Sequence, residues 1–105
     1  MEKDLKFSES GHTLTAHLLG EIDHHSAKHL REQTDAMLFR TKPKILVLDF
    51  SEVRFMDSSG IGLIIGRAEA AGAIGARVHI FGLSGTLKKV ARLSGIEKLK
   101  NVTVI

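Results

Sequence analysis

The stretch "KILVLDF", Lys44 to Phe50, most restricts what this chain can fold into. A half-exposed strand alternates apolar and polar side chains, whereas a strand covered on both faces reads as a continuous apolar run. This run predicts a strand of the second kind, as in a parallel sheet. The segments around it supply the helices that such a sheet needs. Behind Asp23, the residues Ala27, Leu30, Thr34, Met37 and Leu38 fall on one helical stripe, in a helix to about Phe39. Asp23 is the expected N-cap, with Ser26 as its competitor.

The remaining elements follow by the same rules. "LKFSES" and "HTLTAHLLG" read as two strands joined by a turn at Ser10-Gly11, with Gly20 ending the second. In the second strand Leu14, Ala16 and Leu18 alternate with Thr15 and His17. "SEVRFMD" reads as a connection whose Val53 and Phe55 turn inward. A helix is predicted from about Ser59 to Ala71, burying Ile61, Ile64, Ile65 and Ala68, with Gly72 or Gly75 as its left-handed stop. "RVHIFG" is a strand. Ser84 caps a helix with Leu87, Val90 and Ala91 inward, and Gly95 follows its end. "VTVI" is a last short strand.

The order β-β-α-β-α-β-α-β predicts a single α/β domain over residues 1–105. Its mixed sheet has four to five strands: an antiparallel hairpin first, then parallel β-α units with helices packed on them. A length of 105 residues and 43% hydrophobic content fit one modest core. In open sheets of this kind, functional loops lie beyond the C-terminal strand ends. Two loops fall there, "GEIDHH" and "SEVRFMDSSG", and right-handed crossovers set them side by side. Asp23 and Ser59 are therefore expected to be neighbours.

Composition removes several classes of function. The chain has no cysteine, which excludes disulfides and thiolate metal sites. No apolar run reaches the roughly 18 residues of a membrane span, and the charged start "MEKDLKFSES" does not read as a signal peptide. A cytoplasmic protein with no membrane partner is the expectation. Charge is uneven: 8 Lys/Arg against 10 Asp/Glu up to Asp57, then 7 against 2 from Ser58 on. The late cations Lys88, Lys89, Arg92, Lys98 and Lys100 read as a solvated face. No aromatic residue is interleaved with them, so no nucleic-acid partner is expected.

Chemistry concentrates in "FMDSSGIGLIIGR", Phe55 to Arg67. A hydrolase elbow needs G-x-S-x-G, and the position of the leading glycine is Asp57 here. Gly60, Gly62 and Gly66 come near a dinucleotide fingerprint, but Ile65 stands where the third glycine belongs. Anion contact at the helix N-terminus stays open, because free N–H groups and the helix dipole favour it. His25 and His29 have the i, i+4 spacing of metal pairs but no evident third ligand, so no metal site is expected. The plain alternative is helix capping by Ser58 or Ser59, with Asp57 favouring the dipole. Capping leaves two interior glycines unexplained, each costing roughly 0.8–1 kcal/mol against alanine. Close packing on the sheet or close approach of a partner would explain them.

"FMDSSGIGLIIGR" preceded by "ILVLDFSEV" resembles the phosphorylation-site segment of the anti-sigma factor antagonists, small STAS-domain proteins. "GEIDHHSAKHLRE" and "SGTLKKVARLSGIEKL" resemble two further segments of that family. The resemblance spans nearly all the chain. It implies a non-enzymatic regulator with no cofactor. Ser59, the second serine of the motif, would be phosphorylated by an anti-sigma factor that is also a serine kinase. The unphosphorylated form would bind that kinase and release the sigma factor, and a PP2C-type phosphatase would restore the serine. Asp23, Asp57, Ser58, Ser59 and Gly60 would form the partner surface, with Gly60 letting the kinase backbone come close. Weak ATP, GTP or ADP contact at Asp23, Ser59 and Gly60 is a further implication. A nucleotide-responsive STAS sensing module is the alternative reading.

Overall fold

The computed structural model describes residues 4–105, so residues 1–3 of the expected domain lie outside it. Strands β1 (Leu5–Ser10) and β2 (Thr13–Ile22) form the antiparallel hairpin. Helix α1 (His24–Thr41), strand β3 (Ile45–Met56), helix α2 (Ser58–Ala73) and strand β4 (Arg77–Phe81) follow. Helix α3 (Gly85–Ser94), a 3-10 turn (Ile96–Lys98) and strand β5 (Val102–Val104) complete the chain. The five strands lie in sequence order, and every pairing after the first is parallel.

That order fixes the layers. Three successive parallel crossovers step the same way across the sheet, and right-handed connections then set all three helices on one face. The inward side chains of the sheet are buried there, among them Leu14, Leu18, Leu46, Leu48, Phe50 and Ile80. The other face is less covered than the "KILVLDF" run predicts. In β3 burial alternates: Leu46, Leu48 and Phe50 are buried, while Ile45, Val47 and Asp49 are only partly so. The apolar run therefore marks a central strand without a second layer of helices above it.

The expected connection "SEVRFMD" is instead the second half of β3, which runs on to Met56. The pairing with β2 slips twice, between His17 and Leu19 and between Gly20 and Glu21. At each slip β3 carries one residue more than β2, and such bulges break the two-residue alternation. Val53 is buried as expected, but Phe55 points outward and is 52% exposed. β2 likewise passes Gly20 and reaches Ile22, so both strands end together at the pair Ile22 and Met56.

Local capping chemistry sets where each helix begins. Asp23 caps α1, and Ser26 is its capping-box partner rather than a rival: each side chain bonds the other's backbone N–H. Ser84 caps α3, and Gly95 ends it in the left-handed conformation. α2 ends at Ala73 with Ile74 as its C-cap, and Gly75 is left-handed just beyond. The predicted stripe of α2 is rotated: Leu63, Ile64, Arg67 and Ala68 are buried, whereas Ile65 lies at the surface. In α3 only Ala91 is fully buried, and Val90 is exposed.

Candidate functional site

The two loops singled out in the sequence do meet. The Asp57 amide donates to the Ile22 carbonyl at 3.1 Å, which joins the end of β3 to the residue before Asp23. Asp23 and Asp57 are then the N-caps of two helices that start at the same edge of the sheet. Each helix N-terminus carries roughly half a positive charge, so the edge favours anions. The Ser26 amide holds the Asp23 carboxyl below the usual carboxylate range; the Ser26 hydroxyl and His25 assist, against some desolvation.

At the start of α2 three residues compete for one cap, and the carboxylate takes it. Asp57 Oδ1 accepts from the Ser59 amide at 2.8 Å. The serines follow as the first and second helical residues, and neither hydroxyl hydrogen-bonds among the described residues. Capping by a serine is thus overturned. Ser58 is exposed and Ser59 is partly buried.

Gly60 differs from the expected role. It is buried, and a Cβ built on it would overlap the Met56 side chain. Its bareness serves internal packing at the end of β3. Gly62 and Gly66 behave in the opposite way, since a Cβ on either would meet nothing within 4 Å. Packing on the sheet does not explain them.

They border a groove of about 560 Å³ between α1 and α2. Its α2 side is Ser59, Gly62, Leu63 and Gly66. Its α1 side includes His24, His25, Lys28 and Arg31. Arg67 also lines it, with a side chain only 6% exposed. Arg67 Nε lies 2.7 Å from Asp35 Oδ1, off the hydrogen-bond line, and an Arg67 terminal nitrogen donates to Oδ2 at 3.2 Å. Burial lowers the pKa of Arg67; Asp35 opposes that shift and Arg31 adds to it.

The other candidates disperse. His29 lies 3.6 Å from Asp4. Lys89, Arg92, Lys98 and Lys100 are exposed, and Arg92 pairs with Glu97 at 3.1 Å. Among the described residues no helix is long and apolar enough to cross a membrane. A chain of bonds absent from the sequence reading runs over the less covered sheet face. Ser8 Oγ is 3.1 Å from His17 Nε2, and His17 Nδ1 is 2.9 Å from Asp49 Oδ2. The order matches a hydrolase relay. Neighbouring amides of a flat strand point opposite ways, however, so they converge on no oxyanion. The chain of bonds ties β1, β2 and β3 together.

The STAS domain profile matches residues 4–103. The chain belongs to the STAS-domain family. An anti-sigma F factor antagonist of Lysinibacillus sphaericus is 33% identical to it over 84 residues, covering 80% of this chain and 72% of the relative. The structure of the anti-sigma factor antagonist SpoIIAA in its unphosphorylated form superposes with a TM-score of 0.80 at 27% identity, covering 96% of this chain and 87% of that one. The Bacillus cell fate determinant SpoIIAA in its phosphorylated form gives 0.73 at 27% identity, covering 96% and 90%. This STAS domain therefore sits among the anti-sigma factor antagonists, and its single five-stranded mixed sheet is theirs.

Sequence reasoning missed Phe55, which stands exposed two residues before Asp57, and Arg67. The signal for Phe55 was an aromatic beside the motif. For Arg67 it was a lone cation in an otherwise apolar helix.

Proposed function

We propose that this protein is a phospho-switched anti-sigma factor antagonist acting in the cytoplasm. Unphosphorylated, it binds an anti-sigma factor that is also a serine kinase and so releases the sigma factor. The kinase phosphorylates Ser59, and a PP2C-type phosphatase reverses the step. The protein is the substrate in this exchange, not an enzyme.

The observation that carries the reading is the state of Ser59. Among the described residues its hydroxyl has no hydrogen-bond partner, and it sits on the second residue of a helix whose cap is already supplied by Asp57. A phosphate there adds about −1.5 to −2 charge at a helix end that tolerates it. The fold need not change. Instead, the new charge joins the carboxylates of Asp57 and Asp23 on the docking surface. A partner carboxylate brought within about 5 Å of that phosphate, at an effective dielectric near 20, is repelled by about 3 kcal/mol. A tenfold loss of affinity needs only about 1.4 kcal/mol, so one phosphate suffices. Ser58 and the exposed Phe55 complete the surface, while Gly60 shapes it from below.

Calorimetry of the kinase against the protein, with and without phosphoserine at position 59, tests this. At least tenfold weaker binding of the phosphorylated form is expected, and equal affinities would refute it. A second reading, a nucleotide-responsive sensing module, draws on the cationic groove beside Ser59. It requires micromolar binding of ATP, GTP or ADP at Asp23, Ser59 and Gly60.

A further inference from the structure

The groove between α1 and α2 has three properties that the fold itself does not require. Its α2 wall is thinned by two glycines one helical turn apart, although the space around them would admit side chains. Each lowers helix stability, and neither gains internal packing in return. Its α1 wall is a polar ridge with two cations: His24, Lys28 and Arg31 follow the i, i+4, i+7 spacing of one helix face, and Lys28 and Arg31 carry the charge. Among the described residues none of these three forms an ion pair. Arg67, at the far end of the groove, is already paired with Asp35, so Lys28 and Arg31 are the cations left for a ligand.

We propose that this groove docks an acidic helix of a protein partner. Bare backbone at Gly62 and Gly66 lets a second helix come close. Carboxylates on that helix at i, i+4 and i+7 span about 10 Å at 1.5 Å per residue, which matches the ridge from His24 to Arg31. Ser59 lines the same groove. A phosphate on it would compete with the incoming carboxylates for the cations of α1. The inference builds on the reading that this edge of the molecule is a docking surface, and it names the chemistry of the segment that docks.

The test needs no known partner. The full chain, labelled with nitrogen-15, is titrated with a helical peptide of about 16 residues carrying glutamate at i, i+4 and i+7 in a neutral background. The amides of Gly62, Gly66, Lys28 and Arg31 shift and saturate with Kd near 1 mM or tighter. The double variant Lys28→Glu/Arg31→Glu weakens binding at least tenfold, and Gly66→Leu blocks the groove while the circular dichroism spectrum stays unchanged. A peptide with lysine in place of glutamate leaves these amides unmoved.

Failure of the glutamate peptide to shift them overturns the proposal, as does unchanged binding by the double variant. Shifts of the same amides on simple dilution would assign the groove to a second copy instead. Shifts with ATP but not with the peptide would assign it to a nucleotide. Each of these results leaves the phosphorylation of Ser59 to be decided by its own assay.

Discussion

Three glycines of one helix should respond to the same substitution with opposite signs. Gly62→Ala and Gly66→Ala add a methyl group to open space. Each then gains the helix propensity that glycine withholds, about 0.5–1 kcal/mol. The added methyls stand one turn apart in open space, so together they should contribute up to about 1–2 kcal/mol. For a domain near this size that raises Tm by roughly 4–9 °C. Gly60→Ala gains the same propensity but overlaps Met56, which is itself buried. Overpacking costs about 1–3 kcal/mol, and an overlap this deep with Met56 falls in the upper part of that range, so the net effect is a loss of about 1–2.5 kcal/mol. Urea unfolding followed by circular dichroism reads all three. Destabilisation by Gly62→Ala or Gly66→Ala would mean that the groove is filled in the folded protein. A neutral Gly60→Ala would mean that Met56 does not hold that position.

Other perturbations separate structure from switching. Ser59→Ala should resist phosphorylation yet bind the kinase, whereas Ser59→Asp should keep its circular dichroism spectrum and bind at least tenfold more weakly by calorimetry. Asp57→Ala removes the cap of α2 and should cost about 1 kcal/mol in urea unfolding. An unchanged midpoint would shift Asp57 to a purely functional role. The Asp49 carboxyl gives a pH signature. Burial works against its charge, but the hydroxyl and amide of Ser51, with His17, outweigh that and hold its pKa below the usual range. Its folded pKa is depressed, so its stabilisation is complete above the unfolded value of about 3.9 and is lost as pH falls through the folded value. The urea midpoint of the protein should thus exceed that of Asp49→Asn at pH 6, and the gap should close below about pH 3.9. A gap independent of pH would show that the carboxylate is not what stabilises.

The sequence was most legible where structure is decided locally. Asp23, Ser84 and Gly95 announce helix ends because capping acts over three or four residues. The order of strands and helices followed from apolar period, and it placed both loops at one edge. Locality also explains the failures. At Asp57, Ser58 and Ser59 three competent caps stand in a row, and only the geometry after β3 shows that the carboxylate wins. Phe55 was expected inside because "SEVRFMD" reads as a connection with its apolar residues tucked in; it is strand, and the slip against β2 between Val53 and Phe55 leaves Phe55 outside. The buried stripe of α2 was set one position off because Arg67 looks like a surface residue until Asp35 of α1 is placed beside it. The groove lies between two helices, so no single segment contains it. Its one trace in the sequence was the unexplained cost of Gly62 and Gly66.

The central claim is that Ser59 is the residue on which the switch turns. Its most direct test is peptide mapping by mass spectrometry after incubation with an anti-sigma serine kinase and ATP. One added phosphate, located on Ser59 and absent from Ser59→Ala, is the result expected. Phosphate on Ser58 instead, or full phosphorylation of Ser59→Ala, would contradict it.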